Sequence, residues 1–380
     1  MSREARVVAG LVAAGTVGRL VLAFTTFGLH YDIESFRIVD AALHHDPLAV
    51  YATGRWPYPP GYFGFVEAAH VAARLTGAPF HGWIQVPSVL ADAGLGALVW
   101  VGLRSAAATP RVRLAGVALV TLGPSFWLIS GYHGQIDAVA ILPALAALLV
   151  WERGRERRAL AAGLLVGLGA AVKTFPLLML LPLLPSARSH RERAVLVGAA
   201  VAVPLLALAP WLAAHGHDAV HALRAYHGLP GFGGATLLVE PGLGRSWVDN
   251  GIVTSVGAPA RWLWDHQQLL VGLAALAAAA IAWRTRLEVR VAAALVWLAV
   301  TVADTTQTFQ YYVWLLPVLL VAGELRLVAL VQALLLVPAL QLYFGWATPG
   351  LDWLYPLGCD LALLVLAVAL VARARRLRHP

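Results

Sequence analysis

Lysine and cysteine are nearly missing from this chain of 380 residues, which has one Lys (Lys173) among 28 cationic residues and one Cys (Cys359). A lone cysteine excludes an intramolecular disulfide and says nothing about redox compartment. Charge of either sign is scarce, at 13% of residues against about 25% in soluble domains. With 60% hydrophobic residues and a mean hydropathy of +0.73, the chain has too little polar surface to face water all round. A soluble globule of this length and intrinsic disorder are both excluded. Zinc-finger spacing, helix-turn-helix patterning and basic tracts with interleaved aromatics are absent too, so the net charge of +8 is not a nucleic-acid signature. No internal repeat is visible, which counts against transporters built from inverted repeats.

What is present is a series of apolar runs. A spanning helix needs about 20 mostly apolar residues, and the runs predict spans near 7–27, 83–103, 114–130, 138–151, 159–173, 176–185, 194–213, 267–283, 291–303, 310–323, 326–344 and 357–372. Two of these, 138–151 and 176–185, are short enough to be half-helices or a tilted pair. The expected fold is an all-α polytopic membrane protein of about 10–12 transmembrane helices, forming a single integral membrane domain over 1–380. The first run carries Arg19 and no clear small-x-small cleavage site, so it reads as a retained anchor rather than a signal peptide.

The loops give the orientation. With the N-terminus inside, 20 of the 28 cations fall on the inner side and seven on the outer, with Arg19 in the first span. This is the positive-inside pattern. It predicts a multi-pass protein of the cell membrane with both termini cytoplasmic. Trp residues near span ends (Trp83, Trp100, Trp127, Trp151, Trp211, Trp283) fit an interfacial belt. Two outer loops are long, 28–82 and 214–266, so the working face is expected outside.

The first of these loops carries Tyr31-Asp32-Ile33-Glu34-Ser35-Phe36-Arg37 directly after the first span. A carboxylate there, Asp32 or the second one at Glu34, can take a proton from a hydroxyl; as solvated loop acids both would only help to set topology. Trp56-Pro57-Tyr58-Pro59-Pro60-Gly61-Tyr62 follows, with Tyr58 a candidate lining residue. It leads into 63–76, where Phe65, Ala68, Ala69, Ala72 and Leu75 recur at the spacing of an amphipathic interfacial helix. Gly131-Tyr132-His133-Gly134-Gln135-Ile136-Asp137 closes the third span. His133, Gln135 and Asp137 can bind a phosphate or sugar there, or form a polar hairpin turn. Lys173-Thr174-Phe175-Pro176 sets the only lysine between two apolar runs, as a phosphate-binding cation or a snorkelling one. Gln310 and Tyr311 open the tenth span. The second long loop holds His217 and His221 at zinc-protease spacing, with Asp218 where a glutamate would stand. No third ligand is apparent, so an interfacial helix is the preferred reading. Gly228 to Gly234 is too irregular for a nucleotide fingerprint and reads as the hinge of a lid.

Taken in order, these elements resemble the glycosyltransferase C superfamily, polytopic enzymes that use polyprenyl-phosphate sugars. The order is an acidic first-loop motif, a Tyr-Pro-Pro segment, Gly134-Gln135-Ile136-Asp137, Lys173 to Pro176, a long outer loop ending in Arg245-Ser246-Trp247, and Tyr312-Val313-Trp314-Leu315-Leu316-Pro317. Within it the chain looks most like bacterial polyprenol-phosphate-mannose-dependent mannosyltransferases of the phosphatidylinositol-mannoside type, and it is similar to the first GPI mannosyltransferase. The latter has Asp-x-Asp where this chain has Asp32-Ile33-Glu34. In the phosphatidylinositol-mannoside type a His pair stands where this chain has Gln310 and Tyr311.

The resemblance implies inverting transfer of a hexose, mannose first, from a polyprenyl-phosphate sugar donor to a lipid or glycan acceptor at the extracytoplasmic face. Asp32 is the implied catalytic base. His133, Gln135, Asp137, Lys173, Arg245, Gln310 and Tyr311 are the implied contacts to donor phosphate and sugar. No metal and no cofactor are expected, and no nucleic-acid partner; the lipid bilayer is the medium. The same fold carrying glucose, galactose or arabinofuranose is the nearest alternative. A lipid-linked sugar transporter or flippase is a second, but it would place polar groups at mid-membrane on several helices, where this chain has only Arg19 and Asp92.

Overall fold

A computed structural model of the chain describes residues 2–154, 156–225, 228–244, 246, 255–345 and 350–376. It is helical throughout, with no strand among the described residues. Local sequence explains where helices start. The Ser2 side chain accepts the Ala5 N–H at 3.2 Å and Glu4 sits in the first turn of α1 (Arg3–Thr25), both favourable at a helix N-terminus. Two further helices follow, α2 (His30–His45) and α3 (Phe63–Thr76). After α4 (Phe80–Ser105), Thr109 caps and Pro110 opens α5 (Pro110–Thr121). A π-helix at Trp127–His133 precedes α6 (Asp137–Glu152) and α7 (Arg158–Val172). Then comes α8 (His190–Ala225), kinked at His215 (φ −139°, ψ 52°).

Among the described residues, seven helices are long and apolar enough to cross a membrane: Arg3–Thr25, Phe80–Ser105, Pro110–His133, His190–Arg224, Gln267–Arg284, Leu325–Phe344 and Leu354–Arg376. Shorter apolar stretches lie at Arg158–Val172, Phe175–Ser186, Val289–Ala303 and Phe309–Val321. The protein is an all-α polytopic membrane protein. The short run 138–151 is an unbroken helix, α6, despite Pro143, while 176–185 alternates between tight and regular helical turns around its prolines. By its internal packing the chain divides into two compact units: Met1–Leu122 with Phe126–Tyr226, and Gly123–Ser125 with His227–Pro380.

In the first unit, the two charges buried inside spans meet. Arg19 Nε lies 3.3 Å from Asp92 Oδ2, and an Arg19 Nη donates to the Val120 carbonyl at 2.6 Å. An ion in hydrocarbon needs such a partner. The long segment between the first two spans is not an open loop: α2, a tight turn at Pro47–Thr53 and α3 form a cap with its own core. The expected helix over 63–76 is there as α3. Phe36, Val39, Val50, Trp56, Tyr62 and Val66 are buried in this core, and each fully buried side chain of this size contributes about 1.5–3 kcal/mol. Tyr62 Oη donates to the Ile84 carbonyl at 2.8 Å, and Trp56 Nε1 to the Pro59 carbonyl at 3.2 Å.

Candidate active site

The cap sets Asp32 in the first turn of α2, where the positive end of the helix dipole favours a carboxylate. Its partners arrive from the turn after the π-helix. His133 is the last π-helical residue. Gly134 then takes a left-handed conformation (φ +84°) that a side chain would strain, and a Cβ there would lie 2.9 Å from the tip of Ile33. Gln135 follows, with its carbonyl held by the Ser88 hydroxyl at 2.7 Å, and Asp137 begins α6. Lys173 caps the far end of α7. There the Tyr58-Pro59-Pro60-Gly61 segment passes so close that a Cβ on Gly61 would lie 2.5 Å from the Ala171 carbonyl oxygen.

These residues form one connected network. His133 Nε2 and Gln135 Nε2 both hydrogen-bond Asp32 Oδ2, the latter at 2.9 Å. The Gln135 side-chain Oε1 accepts from Lys173 Nζ at 3.1 Å, and Lys173 donates to Asp137 Oδ1 and Oδ2 at 3.0 and 2.9 Å. Lys173 Nζ also lies 4.5 Å from the centre of the Tyr58 ring. The Tyr51 hydroxyl fixes the Tyr58 carbonyl at 2.9 Å. Asp137 is fully buried and Lys173 nearly so, while the Asp32 side chain keeps 20% of its surface exposed.

This has chemical consequences. Burial pushes the Asp32 carboxyl up, but the charge and hydrogen bond of His133, the Gln135 bond and the Lys173 charge outweigh it. The net effect holds Asp32 below the ordinary carboxylate range. It is therefore ionised at neutral pH. Both bonds in the network go to Oδ2, and neither uses Oδ1. The Tyr58 phenol is raised well above its usual value by burial, then by Asp137, Asp32 and Tyr31, so it stays protonated as a donor.

Glu34 does not join this network. On a helix, residues two apart face away from each other, and Glu34 lies 3.8 Å from Arg37 on the exposed side of α2. Lys173 meets three acceptors, as many as an ammonium has donors. Gln310 and Tyr311 are buried in the second unit on the helix Phe309–Val321, where Tyr311 packs on Trp314 at 4.2 Å between ring centres. Arg245 lies outside the described residues. His217 and His221 sit on the last part of α8, rings parallel at 6.2 Å, with His217 almost fully exposed. A different group, Asp40, His44 and His70, has side chains close enough to share a metal ion and includes no residue of the network.

Sequence reasoning missed Ser88, which positions Gln135 from α4. Its signal is a polar pair, Gln85 and Ser88, three apart on a mainly apolar helix and so on one face of it.

An all-α membrane protein with an ionised, partly exposed carboxylate held in a buried polar network has the parts for proton abstraction at a membrane-embedded site. The sequence matches glycosyltransferase family 87 over residues 56–303. The chain belongs to this family and is a membrane-embedded glycosyltransferase of the C type. The matched segment contains Tyr58, His133, Gln135, Asp137 and Lys173, while Asp32 precedes it and Gln310 follows it. A comparison with curated protein sequences found no match.

Proposed function

We propose that the chain transfers a hexose, mannose first, from a polyprenyl-phosphate sugar to a lipid or glycan acceptor at the extracytoplasmic face, with inversion. The observation that carries this reading is Asp32, held at Oδ2 by His133 and Gln135 with 20% of its side chain exposed. The acceptor hydroxyl gives its proton to Oδ1 as its oxygen attacks the anomeric carbon. The bond from that carbon to the phosphate oxygen breaks, and polyprenyl phosphate leaves with the electron pair. Attack opposite the leaving group inverts the centre. The leaving group is already an anion of low basicity, so no general acid is needed. What the site supplies is the base and cationic or hydrogen-bonding stabilisation of the phosphate.

In this reading His133 orients Asp32 and stands beside the reacting atoms. Lys173 and Asp137 act as a buried brace that aims the Gln135 amide at Asp32. Gln310, Tyr311 and Arg245 are proposed contacts to the donor phosphate or sugar. The preference for mannose and a polyprenyl carrier rests on the ordered motifs of the sequence, and the outward face on the distribution of arginine in the loops.

The test uses purified protein in nanodiscs with radiolabelled polyprenyl-phosphate mannose and a total membrane-lipid extract. The expected result is label moving to a new lipid with wild type and not with Asp32→Asn. Transfer from a polyprenyl-phosphate glucose or galactose instead would correct the sugar. Full activity in Asp32→Asn would remove Asp32 from its role.

A further inference from the structure

We propose that the outer cap carries a metal site for a divalent ion of the zinc class, built by Asp40 and His44 of α2 and Glu67 and His70 of α3. Two helices contribute two ligands each, at i, i+4 and i, i+3 spacings that put each pair on one helix face. One ligand atom each from Asp40, His44 and His70 lies within 4.8 Å of the others. His70 Nδ1 is 2.9 Å from Asp40 Oδ2, and the His44 and His70 rings lie 4.2 Å apart between centres, tilted by 32°.

The orientation of His44 carries the argument furthest. Its Nδ1 lies 2.9 Å from the Asp40 backbone carbonyl, which can only accept, so Nδ1 holds a hydrogen there. In neutral His44, Nε2 then offers a lone pair. What it faces is another acceptor, Glu67 Oε2, at 3.4 Å. Two lone-pair groups at that distance are bridged either by the second imidazole proton or by a metal ion that displaces it. A metal-bound imidazole typically donates its other N–H to a backbone carbonyl or carboxylate in this way. Bonds of about 2.0–2.1 Å in a tetrahedral site separate neighbouring ligand atoms by about 3.4 Å. Asp40 Oδ1 is buried and without a hydrogen-bond partner among the described residues, 3.5 Å from His44 Nδ1. Beneath the group, Val39, Val66 and Ala69 form an apolar floor that keeps the helices packed whether or not the ion is present.

The set of two imidazoles and two carboxylates suits Zn(II) and similar borderline ions. Asp40 lies eight residues beyond Asp32, about 12 Å along α2 at 1.5 Å per residue. The ion therefore does not touch the reacting atoms. It ties α2, the helix bearing Asp32, to α3.

The test uses the full chain in nanodiscs after chelation and desalting. Co(II) is titrated for its ligand-field absorption, Zn(II) by competition, and the unfolding midpoint is followed with each. Expected are one equivalent bound per chain, tetrahedral Co(II) bands and a raised midpoint. His44→Ala and Glu67→Gln change exposed side chains and leave helical content intact, and each weakens binding about tenfold or more, since even the loss of an outer-shell partner costs 10–100-fold. The pair His217→Ala, His221→Ala keeps binding, which separates this site from the other histidine pair. The proposal fails if wild type takes up no stoichiometric Zn(II) or Co(II), or if uptake survives His44→Ala and His70→Gln undiminished. It fails equally if uptake disappears with the His217 and His221 changes.

Discussion

Two buried glutamines, one in each unit, show what a finished polar turn looks like beside an unfinished one. In the first unit Gln135 uses its amide fully: the N–H₂ donates to Asp32, the carbonyl accepts from Lys173, and Ser88 holds the backbone. In the second, Gln307 is 1% exposed and neither its amide nitrogen nor its oxygen has a hydrogen-bond partner among the described residues. Its neighbours are tied down: Asp304 Oδ1 accepts from Gln267 at 2.7 Å and from the Thr306 N–H at 3.1 Å. Burial raises the Asp304 carboxyl to about 7, and its hydrogen bonds lower it only in part. The same residue type is thus a strut in one turn and an orphan in the other. The difference lies in whether charged partners of the right sign were placed within reach.

The largest effect expected from breaking the first turn is on chemistry. Asp32→Asn keeps the shape of the carboxylate and loses the base, so transfer falls by about 10²–10⁴-fold, measured as initial rate with saturating donor. The pH profile sharpens this. A base must be ionised, and Asp32 is held below the ordinary carboxylate range. Activity therefore persists as pH falls through the range where a free aspartate (about 3.9) titrates, and is lost only on passing the lower folded value. Burial alone would raise the group, so His133→Ala moves the acid limb up. A limb that stays put would show that His133 does not set the charge of Asp32.

The next effect is on the brace. Lys173→Met leaves the Asp137 carboxylate buried without its cation, a loss of about 3–5 kcal/mol. The double variant Lys173→Met, Asp137→Leu recovers much of the stability, because a buried pair replaced by apolar groups is often neutral. Denaturant midpoints of the four proteins in one cycle measure the coupling. Additive losses would mean that the pair is not the brace described. Gln135→Leu comes third: it strands one Lys173 N–H and one Asp32 bond, at about 1–3 kcal/mol. If all of that falls on the transition state, kcat drops roughly 10- to 100-fold with little change in KM.

How much of this was legible beforehand differs by kind of information. Apolar runs and loop arginines suffice for an all-α polytopic chain, because hydrocarbon forces every backbone group into a helix. The helix 63–76 is legible from periodicity alone. Asp32, His133, Gln135, Asp137 and Lys173 are each visible as costly polar residues beside apolar runs, but their mutual contacts are not. Those depend on a π-helix and a left-handed glycine, which no periodicity announces. The pairing of Asp32 with Glu34 misleads for a related reason. In an extended loop the two could converge on one substrate, whereas the helix α2 sends them to opposite sides. Asp40, His44, Glu67 and His70 mean little until α2 and α3 are known to lie side by side.

The smallest effect belongs to the unfinished turn, and it is opposite in sign. A buried amide without partners costs about 1–3 kcal/mol of desolvation that nothing returns. Gln307→Leu keeps the volume and removes both orphaned atoms. Its unfolding midpoint should match wild type or rise by an amount worth up to about 1–3 kcal/mol, while Gln135→Leu, the same substitution, lowers it. If Gln307→Leu instead destabilises the fold, the amide has a partner in the membrane-bound protein, and the two turns are more alike than their hydrogen bonds indicate. If it leaves stability unchanged but raises KM for the donor, that partner is the substrate, and the unfinished turn is completed only when the donor binds.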